Sequence, residues 1–528
     1  MGVLMKTTLG VVLLLVSTLV YGKAITPDEK RSDFVQLGSL IKSKYGPYDY
    51  KKKYLKIDVD KLVEDYSKRA EKTTNLQFYY LINQFVAEFK DSHFRANVQT
   101  NRLSTIGLLC ERVEGKVLVD QFIPLRASAN SMKIRKGDEV VSIDKKPVKE
   151  IIENLATYIS AGYNDTALRM ATWYLGYRPS STLAPIEGKT TVEFKNQDGD
   201  LYEVELEWIQ MGESIDELER TGSGLNSPLD LTQLSIFDYY KDLPKTELTF
   251  RCSGKSRIAR PKGAVSIFEN PFVAYYFDTP KGKVGYLRIP HYSWANETTG
   301  ASEMDLRLAN YEYALQVLEK NTVGLIIDQD HNCGGAVTMV EKMAAMFVDK
   351  PYAGLEFQLL STRAERKSFE AGLSEDVLKT TMGAGLLEVL NLMKQANLSG
   401  ERLTAKTTLH GTQAVYPNGI RYTKPVVMMI DEMSGSGGDA FPAIMQGLGR
   451  AKLFGTRTMG AGGHVVATDP LNYSFSSLRI TKSLFYHPNG TAIENNGATP
   501  DYPYTITQKD FLYGYSDYLK AAVQKLLP

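Results

Sequence analysis

The chain has 528 residues, enough for several domains, and its 62 Lys and Arg nearly cancel its 61 Asp and Glu, leaving a net charge of +1. That balance removes the electrostatic case for a nucleic-acid partner, and the densest basic run, Lys51-Lys52-Lys53, reads as a solvated face. Three cysteines and six dispersed histidines show no zinc spacing, so neither metal nor organic cofactor is expected.

Lys6 precedes the apolar run Leu9-Gly10-Val11-Val12-Leu13-Leu14-Leu15-Val16, and small residues follow at Gly22 and Ala24. Residues 1–24 therefore read as a secretory signal, cleaved after Gly22 or Ala24. A membrane anchor is the competing reading, but the run is short for a full span and is flanked by Ser17-Thr18. The mature chain is expected to be secreted, periplasmic or otherwise exported. Residues 25–105 form a helical cap: Asp33–Ile41, Leu62–Tyr66 and Phe78–Val86 space apolar groups by three and four. Its last helix delivers Asp91-Ser92-His93 to a helix end.

The period changes over 106–210, where a β module is expected. Lys116–Asp120 and Glu139–Ile143 read as strands, and residues 193–208 as a hairpin across Asp198-Gly199. Residues 151–187 would be a helical insertion. Residues 211–282 carry weak signals and read as a linker or surface segment. From 283 to 528 strands and helices alternate: Val284–Ile289, a helix over 303–320, Leu325–Asp328, a helix opened by Gly334-Gly335, Val426–Ile430, a helix to Leu448, then Lys452–Gly455. That order implies an α/β core with a mostly parallel sheet, with residues 360–420 inserted and Ser474–Tyr486 as a long arm. Export permits a Cys110–Cys252 disulfide without forcing it, and Cys333 reads as a free thiol in a glycine turn.

Met433-Ser434-Gly435-Ser436-Gly437-Gly438-Asp439 lies between an apolar strand and a helix start. A hydroxyl there sits close to free helix N–H groups, a setting that suits a nucleophile and the negative charge its attack creates. The plain alternative is a tight turn whose serines cap the helix. A serine needs a base, and the candidates are His93, His291, His331, His410, His464 and His487. His93 lies in a polar turn at a helix end, with His291 and His464 its rivals beside strand ends.

Four motifs in order resemble the S41 family of C-terminal processing (tail-specific) peptidases. They are Val323–Asp328 with Asn332-Cys333-Gly334-Gly335, Ser434–Asp439, Gly449–Ala451 with Gly455–Gly460, and Asn489–Thr491 with Gly497–Asp501. The match runs from about 283 to 502, and the module from 108 to 210 resembles a PDZ domain. The resemblance implies a ClpP/crotonase-like α/β core. One departure matters: the position of the family's lysine base is Ala461, and that of its accessory aspartate is Gly447. The pattern instead resembles the histidine-using branch that includes the tricorn core protease and the chlamydial secreted protease CPAF. On that resemblance Ser436 is the nucleophile, His93 its base, Glu494 the orienting acid and Ser92 a neighbour in the relay. Gly437 and Gly334 would supply oxyanion N–H groups. The implied activity is serine endopeptidase cleavage of extended protein or peptide substrates. The rival readings are an inactive peptide-binding protein and an esterase or amidase with the same triad. Self-cleavage and homo-oligomerisation are left open.

Overall fold

The computed structural model describes residues 24–528 except 126, 127, 129, 215–251, 253–254, 294–302, 381, 410, 412, 413 and 418. The signal-like segment up to residue 23, most of the 211–282 segment and His410 thus lie outside the described residues.

Among the described residues four helices come first: Pro27–Lys44, Tyr48–Leu55, Val59–Ala70 and Asn75–Ala87. Two begin with reciprocal capping boxes, Thr26 with Glu29 and Thr74 with Gln77, which satisfy N–H groups that a helix start leaves open. Their apolar faces, including Phe34, Leu37, Ile41, Phe78, Ile82 and Phe85, close over Leu471, Leu478 and Ile480 from the far end of the chain. Immediately afterwards Arg95–Asn97 pairs antiparallel with Ser477–Thr481, which also pairs with Val465–Thr468. The segment carrying His93 is thereby sewn to the C-terminal half.

The β module orders its strands Leu108–Val113, Lys116–Phe122, Glu139–Ile143, Lys189–Lys195 and Leu201–Glu207. Helices Val148–Ala156 and Asn164–Trp173 lie between the third and fourth strands in sequence. The hairpin turns at Gly199, whose φ of +96° suits glycine. Met433, from the serine turn, joins this module's apolar core.

The central sheet has the order Val265–Phe268, Ala274–Thr279, Gly282–Arg288, Gly324–Asp328, Val426–Ile430, Lys452–Gly455 and Tyr502–Pro503. Its last five strands run parallel. Every residue of Gly324–Asp328 and Val426–Ile430 is buried. Alternate side chains enter opposite cores: Ile327, Met428 and Ile430 meet helix Gly437–Gly447, whereas Ile326, Val427 and Met429 meet helix Ser516–Leu526. The sheet begins at Val265 rather than at the expected 283. Its first two strands are antiparallel; Val265 and Ser266 of the edge strand are exposed, while the second strand lies in the apolar run Phe272–Phe277.

Cys252 is bonded to Cys333, at a Cα–Cα separation of 5.2 Å, and Cys110 is the buried free cysteine. This corrects both cysteine expectations: the chain path brings Cys252 to the glycine turn, where its N–H donates to His331 O at 3.3 Å. Among the described residues no helix is long and apolar enough to cross a membrane.

Candidate active site

Because Gly324–Asp328 and Val426–Ile430 are parallel neighbours, their C-terminal ends open side by side into two turns, Gln329–Gly335 and Asp431–Ser436. The turns are cross-linked. Gly435 N–H donates to Asn332 O at 3.0 Å, and Ser434 Oγ donates to Gln329 O at 2.7 Å and Asp431 Oδ1 at 2.9 Å. Ser434 is completely buried by these contacts. Ser436 is partly exposed and lines a cavity of about 510 Å³. Its backbone, at φ 61° and ψ −114°, lies where side chains are rarely held, at the cap of helix Gly437–Gly447.

Gly334 and Gly335 press against this serine. A Cβ on Gly334 would fall 2.6 Å from Ser436 Cβ and 2.9 Å from Gly437 N, and one on Gly437 would fall 3.1 Å from Gly335 N. No larger residue fits between the turns. The Gly334 N–H already donates to Asn332 Oδ1 at 2.7 Å. The N–H groups of Gly335 and Gly437 have no acceptor among the described residues.

Asp439 staples the next segment to the serine. Its Oδ2 accepts from Ser436 N–H at 2.7 Å and Ala461 N–H at 2.9 Å, and its Oδ1 accepts from Gly460 N–H at 2.8 Å and the Thr458 hydroxyl. Burial pushes this carboxyl up to about 6 against the pull of those donors. The segment continues past Glu494, whose Oε2 accepts from Gly462 N–H at 2.9 Å, to His464, whose N–H donates to Ser483 Oγ at 2.9 Å.

Glu494 is fully buried, and its Oε1 is paired with Lys51 Nζ. Burial, then the nearby Asp91, pushes its carboxyl up to about 8, while Lys51 and Gly462 pull it down. Lys51 was read as part of a solvated run; it is instead 1% exposed, whereas Lys52 and Lys53 face solvent. In sequence it gave only a weak signal, a helix position four before Leu55. The His93 backbone N–H donates to Asp91 Oδ1 at 2.8 Å, and Asp91 Oδ2 accepts from Tyr45 OH at 2.7 Å and Thr481 Oγ1 at 2.8 Å. The His93 Nδ1 atom is buried with no hydrogen-bond partner among the described residues, and burial depresses the ring to about 4. Ser92 Oγ accepts from Gly162 N–H at 3.1 Å.

Ser436, through Asp439, and Glu494, through Gly462, thus share the strip Thr458–His464, while His93 is held by Asp91; no hydrogen bond joins the three side chains. His464 lines the same cavity as Ser436, with its Nδ1 2.8 Å from Ser483 Oγ. His291 Nδ1 accepts from Ser293 N–H, and His487 Nε2 donates to Gly497 O. His331 sits beneath the turns, 3.0 Å from Asp431 Oδ2 and 2.7 Å from Arg169. That arginine comes from the β module and also pairs with Glu111, Asp431 and Glu432. Asn332, Asp439, Lys51 and Arg169 are the site residues whose roles sequence reasoning missed; Asn332 and Asp439 stood in motifs, the strand-plus-glycine turn and the serine turn, and Lys51 and Arg169 did not.

Residues 283–504 match the family described as Peptidase family S41, and residues 102–217 match the PDZ domain. A protein of Chlamydia trachomatis is 24% identical, with 96% of this chain and 94% of that protein covered. The tricorn protease of Thermoplasma acidophilum is 23% identical over 48% of this chain and 18% of its own length. The crystal structure of mature CPAF superposes with a TM-score of 0.79 at 23% identity, covering 95% of this chain and 98% of that one.

Proposed function

We propose that this chain, a serine-type peptidase with an S41 domain joined to a PDZ domain, hydrolyses peptide bonds in extended polypeptides through Ser436, His93 and Glu494 by way of an acyl-enzyme. The observation that carries the reading is Ser436 itself. It stands on a strained helix cap, at the rim of a cavity, against a double-glycine turn.

Ser436 Oγ attacks the scissile carbonyl while His93 takes its proton and later gives it to the leaving amine. Glu494 orients the ring and balances the imidazolium charge. Hydrogen bonds of this kind are often loose without substrate and tighten in the complex. Ser92 keeps a place beside the relay, with a lone pair already given to Gly162. The oxyanion falls to Gly437 and the Gly334-Gly335 turn. There Gly335 is the donor still available, since Gly334 is engaged by Asn332. His464 is the rival base because it lines the cavity, but its Nδ1 meets Ser483 and its hydrogen bonds include no carboxylate.

The cavity is walled by Val337, Val340, Phe357, Met382, Leu409 and Phe485, so it suits a large apolar side chain at the cleaved residue. Export is part of the proposal, supported by Lys6 and the apolar run that follows it. Intact mass of the mature chain should then place its first residue at Lys23 or Ile25.

The deciding experiment incubates purified chain with unfolded proteins at neutral pH, beside Ser436→Ala, His93→Ala, His464→Ala and Glu494→Gln, all first shown to be folded. New termini should appear with the wild type and His464→Ala, almost none with Ser436→Ala and His93→Ala, and few with Glu494→Gln. Loss of cleavage in His464→Ala but not in His93→Ala would transfer the base to His464. Equal peptide binding and no cleavage by fully processed wild type would leave a binding protein.

A further inference from the structure

Lys51 is a buried lysine whose three donors are all used. Its Nζ pairs with Glu494 Oε1, donates to Asn495 Oδ1 at 2.6 Å and donates to Lys90 O at 2.9 Å. Glu494 and Asn495 belong to one turn of the proposed triad, and Lys90 opens the other, directly before Asp91-Ser92-His93. Asn495 completes the clamp by donating to Lys90 O at 2.8 Å and Gly162 O at 2.9 Å. Lys90 at φ 44° and Asn495 at φ 60° are both left-handed non-glycine residues, conformations that persist only when surrounding contacts impose them. A buried ammonium with one ionic and two polar partners supplies such contacts.

We propose that Lys51 is a positioning residue of the proteolytic site, whose ammonium locks the Glu494 turn to the His93 turn and so sets how Glu494 meets the His93 ring. The inference rests on the Ser-His-Glu reading. It adds a cation to that relay, on a helix that also holds the Glu494 backbone through the Tyr50 hydroxyl. The ammonium also opposes the two influences that favour a protonated Glu494, burial and Asp91. The other groups facing Glu494 are the Gly462 N–H, the Tyr50 hydroxyl, which donates to its backbone O at 2.7 Å, and the Tyr45 phenol. None of these carries positive charge, so Lys51 is the cation that favours the carboxylate form, with the Gly462 N–H adding to it. Without it the carboxyl protonates at higher pH, and activity should begin to fail at higher pH.

The test compares Lys51→Met, Lys51→Arg, Glu494→Gln and Lys51→Met/Glu494→Gln with wild type. All are read on a quenched fluorescent peptide copied from a mapped cleavage site, after folding is checked by thermal melting. Lys51→Met should lower kcat at least tenfold with KM changed less than threefold, and should move the acid limb of the kcat profile up by about one pH unit. Lys51→Arg should restore the limb and part of kcat. In the Glu494→Gln background, Lys51→Met should cost less than threefold, because no carboxylate remains to be held. Should Lys51→Met fail to fold, Lys51→Gln, which keeps a donor without the charge, takes its place with the same readouts. A folded variant with an unmoved acid limb, or one with raised kcat, overturns the inference while leaving the triad standing. An unimpaired Glu494→Gln instead removes the triad reading, and this inference with it.

Discussion

Ser436 and Ala461 are held to one carboxylate oxygen: Asp439 Oδ2 accepts the Ser436 N–H at 2.7 Å and the Ala461 N–H at 2.9 Å. Ala461 occupies the position at which the lysine base falls in the resembling tail-specific peptidases. That position is thus beside the serine, and here it holds a buried methyl group. In the proposed mechanism proton transfer therefore falls to another group, and the strip Thr458–His464 leads from Ser436 to Glu494.

Exposure separates the two serines of the turn. A fluorophosphonate probe should label Ser436, and Ser436→Ala should abolish labelling with little change in melting temperature. Ser434→Ala should keep the label but lose about 1–3 kcal/mol, because Gln329 O and Asp431 Oδ1 lose a buried donor. Mass-spectrometric mapping of the adduct to Ser434 overturns the assignment.

His93 should leave a proton-linkage signature. Burial depresses the ring to about 4 in the fold, whereas an unfolded chain protonates it near its ordinary value of 6.5. Its contribution is therefore full above pH 6.5 and is lost as pH falls toward 4, since the unfolded state then binds the extra proton. Relative to His93→Gln, the wild type should lose up to ~3 kcal/mol across that window. Denaturation curves that stay parallel from pH 7 to pH 4 contradict the depressed value.

Gly462 is needed for closeness rather than for an unusual φ. A Cβ there would fall 2.5 Å from Glu494 N and 3.0 Å from its Cα, backbone that has little room to yield. Gly462→Ala should cost about 1–3 kcal/mol and reduce kcat at least tenfold by displacing Glu494. Gly372→Ala, whose nearest contact is 3.4 Å, is the control and should change stability by less than about 0.5 kcal/mol. Equal effects of the two changes would show that the Glu494 contact is unimportant.

The cavity beside Ser436 should select apolar side chains. Proteome-derived peptide libraries should yield cleavage after Leu, Met or Phe, and rarely after Asp or Lys. Val337→Trp, at the partly exposed wall, should raise KM for the large residues at least fivefold while Ala at the cleaved position suffers less. A library profile dominated by charged residues at that position removes the cavity from substrate recognition.

Local signals in the sequence carried the strands of the core and the serine-containing glycine turn. Leu325–Asp328 and Val426–Ile430 are legible because a parallel strand covered on both faces must be apolar at every position, and Ser436 because only a glycine-rich turn reverses so sharply into a helix. The edge strand Val265–Phe268 was not legible, since its first residues are exposed and leave no continuous run, whereas Ala274–Thr279 lies in the apolar run Phe272–Phe277 and was passed over. His93 could be singled out only by resemblance, as nothing local distinguishes one histidine at a helix end from another. What places it is the pairing of Arg95–Asn97 with Ser477–Thr481, a contact between opposite ends of the chain. Tertiary structure alone decided the Cys252–Cys333 pairing and the burial of Lys51. Successive helix positions point about 100° apart, so of three consecutive lysines one can meet a buried carboxylate while the other two stay in water, and which one is set by the surface the helix docks against.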